Sequence, residues 1–169
     1  MSLLVRLLWV LLTGIFRKRL KPLEASVLYL PVLPNDLDIY WHMNNGRYQT
    51  LMDLGRMDWI LRTGLGKTAE KNGWKPLVAS VKMTYRKSLT VFQGFELHTR
   101  IIFWDDKWFF LEQIFERNGT VAAWGLVKGL FRGPQGNVPS KQVLAALQTD
   151  LVPPAPPESA AAWIALETS

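Results

Sequence analysis

Between Asn45 and Thr63 the chain spreads Tyr48, Leu51, Met52, Leu54, Trp59, Ile60 and Leu61 over a wide helical surface. A helix this apolar has to be covered on several sides. Arg47, Asp53, Arg56 and Asp58 supply its polar positions. Asn44 or Asn45 suits the N-cap, and Gly64 suits the residue that ends it. The cover lies further along the chain. Val78 to Lys87 alternates Ala79, Val81, Met83 and Tyr85 with Ser80, Lys82, Thr84 and Arg86. That is the two-residue period of a strand. Phe95–Phe103, Trp108–Arg117 and Thr120–Phe131 read as three more strands, joined by a turn at Trp104–Lys107 and another at Asn118–Gly119. Ser26–Val32 is a strand before the helix, and Pro31 places its end at a sheet edge. The expected class is α+β, with a curved antiparallel sheet of about five strands wrapped around the long helix. Such a sheet keeps open edges, so pairing into a homodimer, or a dimer of dimers, is expected.

The remaining segments flank this unit. Residues 1–21 read as a separate N-terminal helix, 22–149 as the domain, and 150–169 as a Pro-rich tail. Leu3–Phe16 is almost wholly apolar and is followed by Arg17, Lys18, Arg19 and Lys21. It is shorter than the roughly 20 apolar residues that span a bilayer. A basic cluster stands where a signal peptide would have its small-residue cleavage site. Arg6, Thr13 and Arg17 share one narrow stripe of this helix, which Pro22 is expected to end. Two readings stand side by side: an interfacial membrane helix held by its basic end, or a helix buried against the domain or an oligomer partner. Lys67–Pro76 reads as a connection and Gly133–Pro139 as a loop. A short helix is expected over Ser140–Thr149, capped by Ser140. The tail is expected to end in one helical turn docked through Trp163.

Composition narrows the chemistry. The 169 residues hold no cysteine and only two histidines, His42 and His98. Disulfides, cysteine nucleophiles and thiolate zinc sites are therefore excluded, and no metal or other cofactor is expected. A net charge of +6 fits anionic lipid, nucleic acid or a phosphorylated small molecule. Nucleic acid is disfavoured, because much of the excess sits in one terminal cluster and no recognition motif accompanies it.

The polar loop before the long helix carries Asp36, Asp38, His42, Asn44 and Asn45. Taken singly, the two aspartates read as turn formers. Together, Asp36-Leu37-Asp38-Ile39-Tyr40-Trp41-His42-Met43-Asn44-Asn45-Gly46-Arg47-Tyr48 resembles the pattern Asp-x-Asp-x-x-Gly-His-Val-Asn-Asn-x-x-Tyr. That pattern belongs to the 4-hydroxybenzoyl-CoA-thioesterase-like branch of the hot-dog acyl-CoA thioesterases. The FELHTRIIFWDDKWFFLE hairpin, the apolar N-terminus and the proline-tryptophan tail extend the likeness to the thioesterase superfamily member six group. Two departures stand out. Trp41 occupies the glycine position, and Arg86-Lys87-Ser88-Leu89 stands where a proline often closes the strand.

The resemblance implies an acyl-CoA substrate and a hydrolytic reaction. Asp38 would take the place of the catalytic carboxylate, as general base or nucleophile. The backbone N–H of Asn45 at the helix start would hold the oxyanion. His42 and Asn44 would shape the loop or contact the thioester, with Trp41 reshaping the site. Tyr48, Met52 and Met83 are candidates for an acyl channel, or belong to the plain core as such side chains more often do. Arg86, Lys87, Lys128 and Arg132 are candidates for CoA phosphates. Asp53 is expected to pair with Arg56, and His98 to be solvated. The alternative function is a non-catalytic acyl-CoA or lipid-binding protein at a membrane surface. The expected location is cytoplasmic, on the inner face of a membrane if residues 3–21 rest on one.

Overall fold

The computed structural model describes residues 3–147 and 149–168. Helix α1 (Leu3–Gly14) precedes strand β1 (Ser26–Pro31), and a 3-10 turn at Pro34–Asp36 leads to the long helix α2 (Asn45–Arg62). Helix α3 (Leu65–Asn72), strands β2 (Lys75–Tyr85), β3 (Gly94–Trp104), β4 (Phe109–Arg117) and β5 (Thr120–Gly133), a short β6 (Gly136–Val138) and helices α4 (Ser140–Ala146) and α5 (Glu158–Thr168) follow. One antiparallel sheet runs in the order β1-β3-β4-β5-β2, with β6 on β5. β1 and β2 are its edges, which fits Pro31 in β1. This is the expected curved sheet around a long helix, with five long strands and a three-residue sixth.

The local chemistry explains the joints. Asn118 and Gly119 both hold positive φ, 51° and 73°, the pair a two-residue hairpin turn of this hand needs. Asp105 Oδ1 accepts the N–H groups of Lys107 and Trp108 at 2.8 and 2.6 Å and closes the other hairpin. Asn44 caps α2 by accepting the Gly46 N–H at 2.8 Å.

The core lies between α2 and the concave sheet. Leu51, Met52 and Leu54 of α2 pack with Leu28, Leu97, Phe115 and Val127 from four strands, and Val10 of α1 joins them. Trp59, Trp74, Trp104, Phe109 and Phe131 form a second cluster toward the far end of the helix. The helix approaches the sheet most closely at Gly55. A Cβ there would lie 2.5 Å from Thr99 Oγ1 and 2.8 Å from Gln113 Nε2. Gly55→Ala is therefore expected to destabilise by about 1–3 kcal/mol through overpacking, exceeding the ~1 kcal/mol it gains in helix propensity. The urea midpoint measures this. A midpoint at or above that of the wild type would show that the helix can move outward freely.

Several segments differ from expectation. Residues 65–72 form a helix, bounded by Gly64 and Gly73 in left-handed conformation (φ 81° and 66°). It is held by buried Leu65 and Ala69. Part of the expected 133–139 loop is β6. The N-cap of α4 is Pro139, so Ser140 is the first helical residue, and its hydroxyl donates to the Asp105 carbonyl. α5 is eleven residues rather than one turn. Ala160 and Ile164 pack on the outer sheet face against Phe110 and Leu126, with Trp163 edge-on to Phe110.

α1 ends at Gly14, not Pro22, and its orientation is the reverse of a solvent-facing polar stripe. Arg6, Val10 and Gly14 are buried, and Arg17 turns back to the buried Asp58. The apolar side faces outward, with Leu4 64%, Leu8 50%, Leu12 63% and Phe16 90% exposed. Two carboxylates far away in sequence cause this. Asp36 pairs with Arg6 of α1 and Arg47 of α2, and Asp58 with Arg17 and Arg62. The arginines face inward because their counter-ions are there. No helix among the described residues is long and apolar enough to cross a membrane.

Candidate functional site

The loop between β1 and α2 is built on Asp36. Its carboxylate, 1% exposed, accepts the Leu33 N–H at 2.9 Å, Arg6 Nη2 at 2.5 Å and Arg47 Nε at 3.2 Å. Its backbone carbonyl accepts the Asn44 N–H at 2.8 Å. One buried residue thus joins α1, the loop and the start of α2. The expectation of a turn-forming Asp36 left out this ionic role. A lone arginine within an apolar run was the signal available in the sequence.

Asp38 stands at the head of a tighter turn. Its Oδ1 accepts the N–H groups of Tyr40 at 2.8 Å and His42 at 3.2 Å. The Asp38 N–H donates to the His42 carbonyl at 2.8 Å, and the Trp41 N–H to the Asp38 carbonyl at 3.1 Å. These bonds engage one carboxylate oxygen. Trp41, at the glycine position of the pattern, has φ 63°. The backbone thus keeps a glycine-like conformation, at a cost of roughly 1–2 kcal/mol for an L-residue. The Trp41 side chain points outward, 73% exposed. His42 is also exposed and makes a β-bridge with Thr90.

The turn delivers the chain to the helix start. Asn44 and Asn45 are exposed. Asn44 Oδ1 takes the Gly46 N–H, while the Asn45 N–H is among the groups that a helix start leaves without an intrahelical partner. The Tyr85 hydroxyl donates to the Asn45 carbonyl at 3.2 Å, tying the end of β2 to the helix start. Exposed Arg86 and Lys87 come directly after this tie. Asp38, His42, Asn44, Asn45, Arg86 and Lys87 therefore share one end of α2.

Tyr48 lies beneath, in the core, and Met83 is half-buried against it. Tyr48 is edge-on to Tyr85 and Phe115, and Met83 sits against Gly125 beside Met52. Burial pushes the Tyr48 hydroxyl up to about 12 from 10, with the Tyr85 phenol adding to the rise and a backbone hydrogen bond at Leu89 opposing it. The sign is fixed by linkage. Above pH 10 the unfolded chain releases this proton while the folded chain retains it, so stability falls from pH 10 to about 12. Tyr48→Phe is expected to make that decline shallower, read as urea midpoints through the same interval. An unchanged slope would assign the decline to other groups.

Two of the cationic candidates lie elsewhere. Lys128 is buried under α5, 3.2 Å from the Glu167 carboxylate and 4.5 Å above the Trp108 ring. Arg132 is on the exposed part of β5. Asp53 pairs with Arg56, which also donates to Gln113 Oε1 at 2.7 Å. Burial lowers the Arg56 pKa, against the opposing pull of Asp53. His98 is half-buried, with Nε2 3.0 Å from Glu96. Glu96, His98 and Glu116, on the β3–β4 pair, are the one group among the described residues with metal-ligand spacing.

A groove runs from the helix start between α2 and β2, lined by Gly46, Thr50, Asp53, Arg56, Val78 and Val81. It shares Asp53, Arg56 and Val78 with an apolar cavity of about 130 Å³, walled by Trp59, Ile60, Ile101, Phe109, Leu130 and Leu144 among others. The cavity draws its walls from helices and strands across the chain, and no sequence motif marks it.

A helix start beside an acidic turn, on a helix wrapped by a curved sheet, defines a class. The chain belongs to the thioesterase-like superfamily, whose family model matches residues 32–164. It is 35% identical over 136 residues to the protein THEM6 of Xenopus laevis, covering 79% of this chain and 64% of that one. To THEM6 of Danio rerio it is 36% identical over 138 residues, covering 79% and 68%. The chain thus spans about two thirds of the length of these relatives. Among solved structures, a DHNA-CoA thioesterase from Staphylococcus aureus superposes with a TM-score of 0.63 at 16% identity, covering 85% of this chain and 93% of that one.

Proposed function

We propose that the protein hydrolyses acyl-CoA thioesters at the junction of the Asp38 turn and the α2 start. The observation that carries this is the Asp38 carboxylate, fixed through one oxygen by the Tyr40 and His42 N–H groups a few residues before a capped helix start. As general base, Asp38 takes a proton from water as the water oxygen adds to the thioester carbonyl carbon. The carbonyl oxygen becomes an oxyanion and is stabilised by the Asn45 N–H and the positive end of the helix. Collapse of this intermediate breaks the C–S bond, and the CoA thiolate takes up the proton. In the nucleophilic variant, Asp38 itself attacks and water cleaves the resulting anhydride. Arg86 and Lys87 meet the CoA phosphates. The groove and apolar cavity along α2 receive the acyl chain, which is the physical fit expected of an alkyl ligand.

The reading includes a homodimer joined along β2. That edge strand carries Leu77 44% and Val78 48% exposed, in the way an unpartnered edge invites another copy. Hydrolysis is tested by following thiol release from a panel of straight-chain and aromatic acyl-CoAs with wild type and Asp38→Asn. Equal turnover by both removes Asp38 from the mechanism. No turnover on any member of the panel removes the hydrolase.

A second reading, an acyl-CoA or lipid-binding protein at a membrane surface, is favoured by the outward apolar side of α1 and by Trp41 at the glycine position. It predicts vesicle binding through α1, lost in Leu8→Ser/Leu12→Ser, and ligand-induced thermal stabilisation without thiol release. Full-length protein that ignores anionic vesicles would end the membrane part.

A further inference from the structure

α1 is not the only apolar surface presented outward. Ile39 is 84% exposed, Tyr40 72%, Trp41 73% and Phe92 74%. The bridge between His42 and Thr90 and the bond from the Phe92 N–H to the Val32 carbonyl (2.8 Å) bring the Phe92 turn alongside the 39–41 tip. Both aromatic turn residues hold left-handed backbone, φ 63° at Trp41 and 61° at Phe92. This conformation suits glycine or asparagine, and a bulky residue there adds strain. Neither strain nor exposure is offset by burial within the chain. The side chains have the composition of an interfacial belt, an apolar body with a polar handle on Tyr40 and Trp41.

The placement of the tip points to a bilayer. Arg6 of α1 donates to the Asp36 carboxylate and to the Pro31 carbonyl at 3.2 Å, so the outward face of α1 begins at the base of this loop. Exposed Arg86 and Lys87 flank the helix start, while exposed Lys18, Arg19 and Lys21 lie at the other end of α1, where Arg62 at the end of α2 donates to the Lys18 carbonyl. Apolar tips beside exposed cations, with a further basic cluster at the far end of the outward face of α1, are complementary to anionic headgroups over acyl chains. The tip also includes Tyr40, whose N–H holds Asp38 Oδ1, as does the N–H of His42 two residues further on.

We propose that Ile39, Tyr40, Trp41 and Phe92 form a second bilayer contact, which seats the Asp38 turn in the headgroup region of an anionic phospholipid membrane. This rests on the membrane-surface reading and adds to it a site that meets its acyl ligand from the membrane side.

The test uses the full chain with vesicles of phosphatidylcholine, alone or mixed with phosphatidylglycerol, and the same mixtures with brominated acyl chains. Ile39→Ser/Phe92→Ser is expected to weaken binding to the anionic vesicles roughly tenfold or more, as loss of two large apolar contacts requires. Its thermal unfolding is expected to match the wild type, because both side chains are exposed. Brominated chains are expected to quench a tryptophan component that Trp41→Leu removes. If Ile39→Ser/Phe92→Ser binds as tightly as wild type while Leu8→Ser/Leu12→Ser does not bind, the tip contact is overturned and the membrane reading survives. Wild type that binds no vesicle overturns both. A bound wild type without the Trp41-dependent quenching, or a tip variant that changes only the oligomeric state on gel filtration, also overturns the tip contact.

Discussion

Asp36→Ala is expected to destabilise the fold by about 3–5 kcal/mol, the cost of leaving a buried charge without its partner. Asp36 and the Arg6 side chain are 1% and 2% exposed, so water does not screen their contact. Arg6 Nη2 lies 2.5 Å from Oδ2, and Arg47 Nε lies 3.2 Å from Oδ1. Alanine leaves the Arg6 guanidinium in a desolvated pocket where, among the described residues, the Pro31 carbonyl accepts from it. It also removes the acceptor of the Leu33 N–H. Arg47, 29% exposed, can turn to solvent, so the cost falls on α1. Arg6→Met with Asp36→Asn removes both charges together and is expected to recover much of the loss. Urea unfolding of the three proteins measures the effect. A loss below about 1 kcal/mol, the value of an exposed pair, would mean that α1 lifts away and water enters.

The second large effect is chemical. Asp38→Asn is expected to lower acyl-CoA turnover by about 10²–10⁴-fold, the usual contribution of a positioned base. An asparagine Oδ1 can still accept from the Tyr40 and His42 N–H groups, so the turn persists and thermal stability stays near wild type. Asp38→Ala loses both acceptors along with the carboxylate and is expected to show the same loss of turnover with a loosened loop. The pair separates chemistry from architecture. If Asn keeps full turnover while Ala loses it, Asp38 is a loop-positioning residue. The next carboxylate to test is then Asp53, 60% exposed at the junction of groove and cavity.

Much of the fold was legible because its signals are local. The two-residue periods of β2 to β5, the Asn118–Gly119 and Asp105 turns and the Asn44 cap each depend on residues a few positions apart. The features missed depend on distance. Whether the arginine stripe of α1 faces water or protein is decided by Asp36 and Asp58, 30 and 41 residues away from Arg6 and Arg17. The helix at 65–72 is short and mostly polar, and it is delimited by two left-handed glycines and held by two buried anchors. At the site, the loop pattern identified which residues gather at the helix start. It left Tyr48 and Met83 between an acyl channel and the core, and it did not show that Lys128 is covered by a helix from the tail. The left-handed backbone at Trp41 was half legible, since the resembling pattern has glycine there.

α5 also has a consequence for how the protein breathes. It reaches the sheet through a segment containing Pro153, Pro154, Pro156 and Pro157. It is held by Ala160, Trp163, Ile164 and the Lys128–Glu167 pair. None of these contacts belongs to the cluster between α2 and the concave sheet. The helix can therefore open as a separate cooperative unit at a free energy well below global unfolding. Its backbone amides are expected to exchange with deuterium before those of β4 and β5. Each such opening would briefly bare Trp108, Trp124 and Lys128 on the convex side.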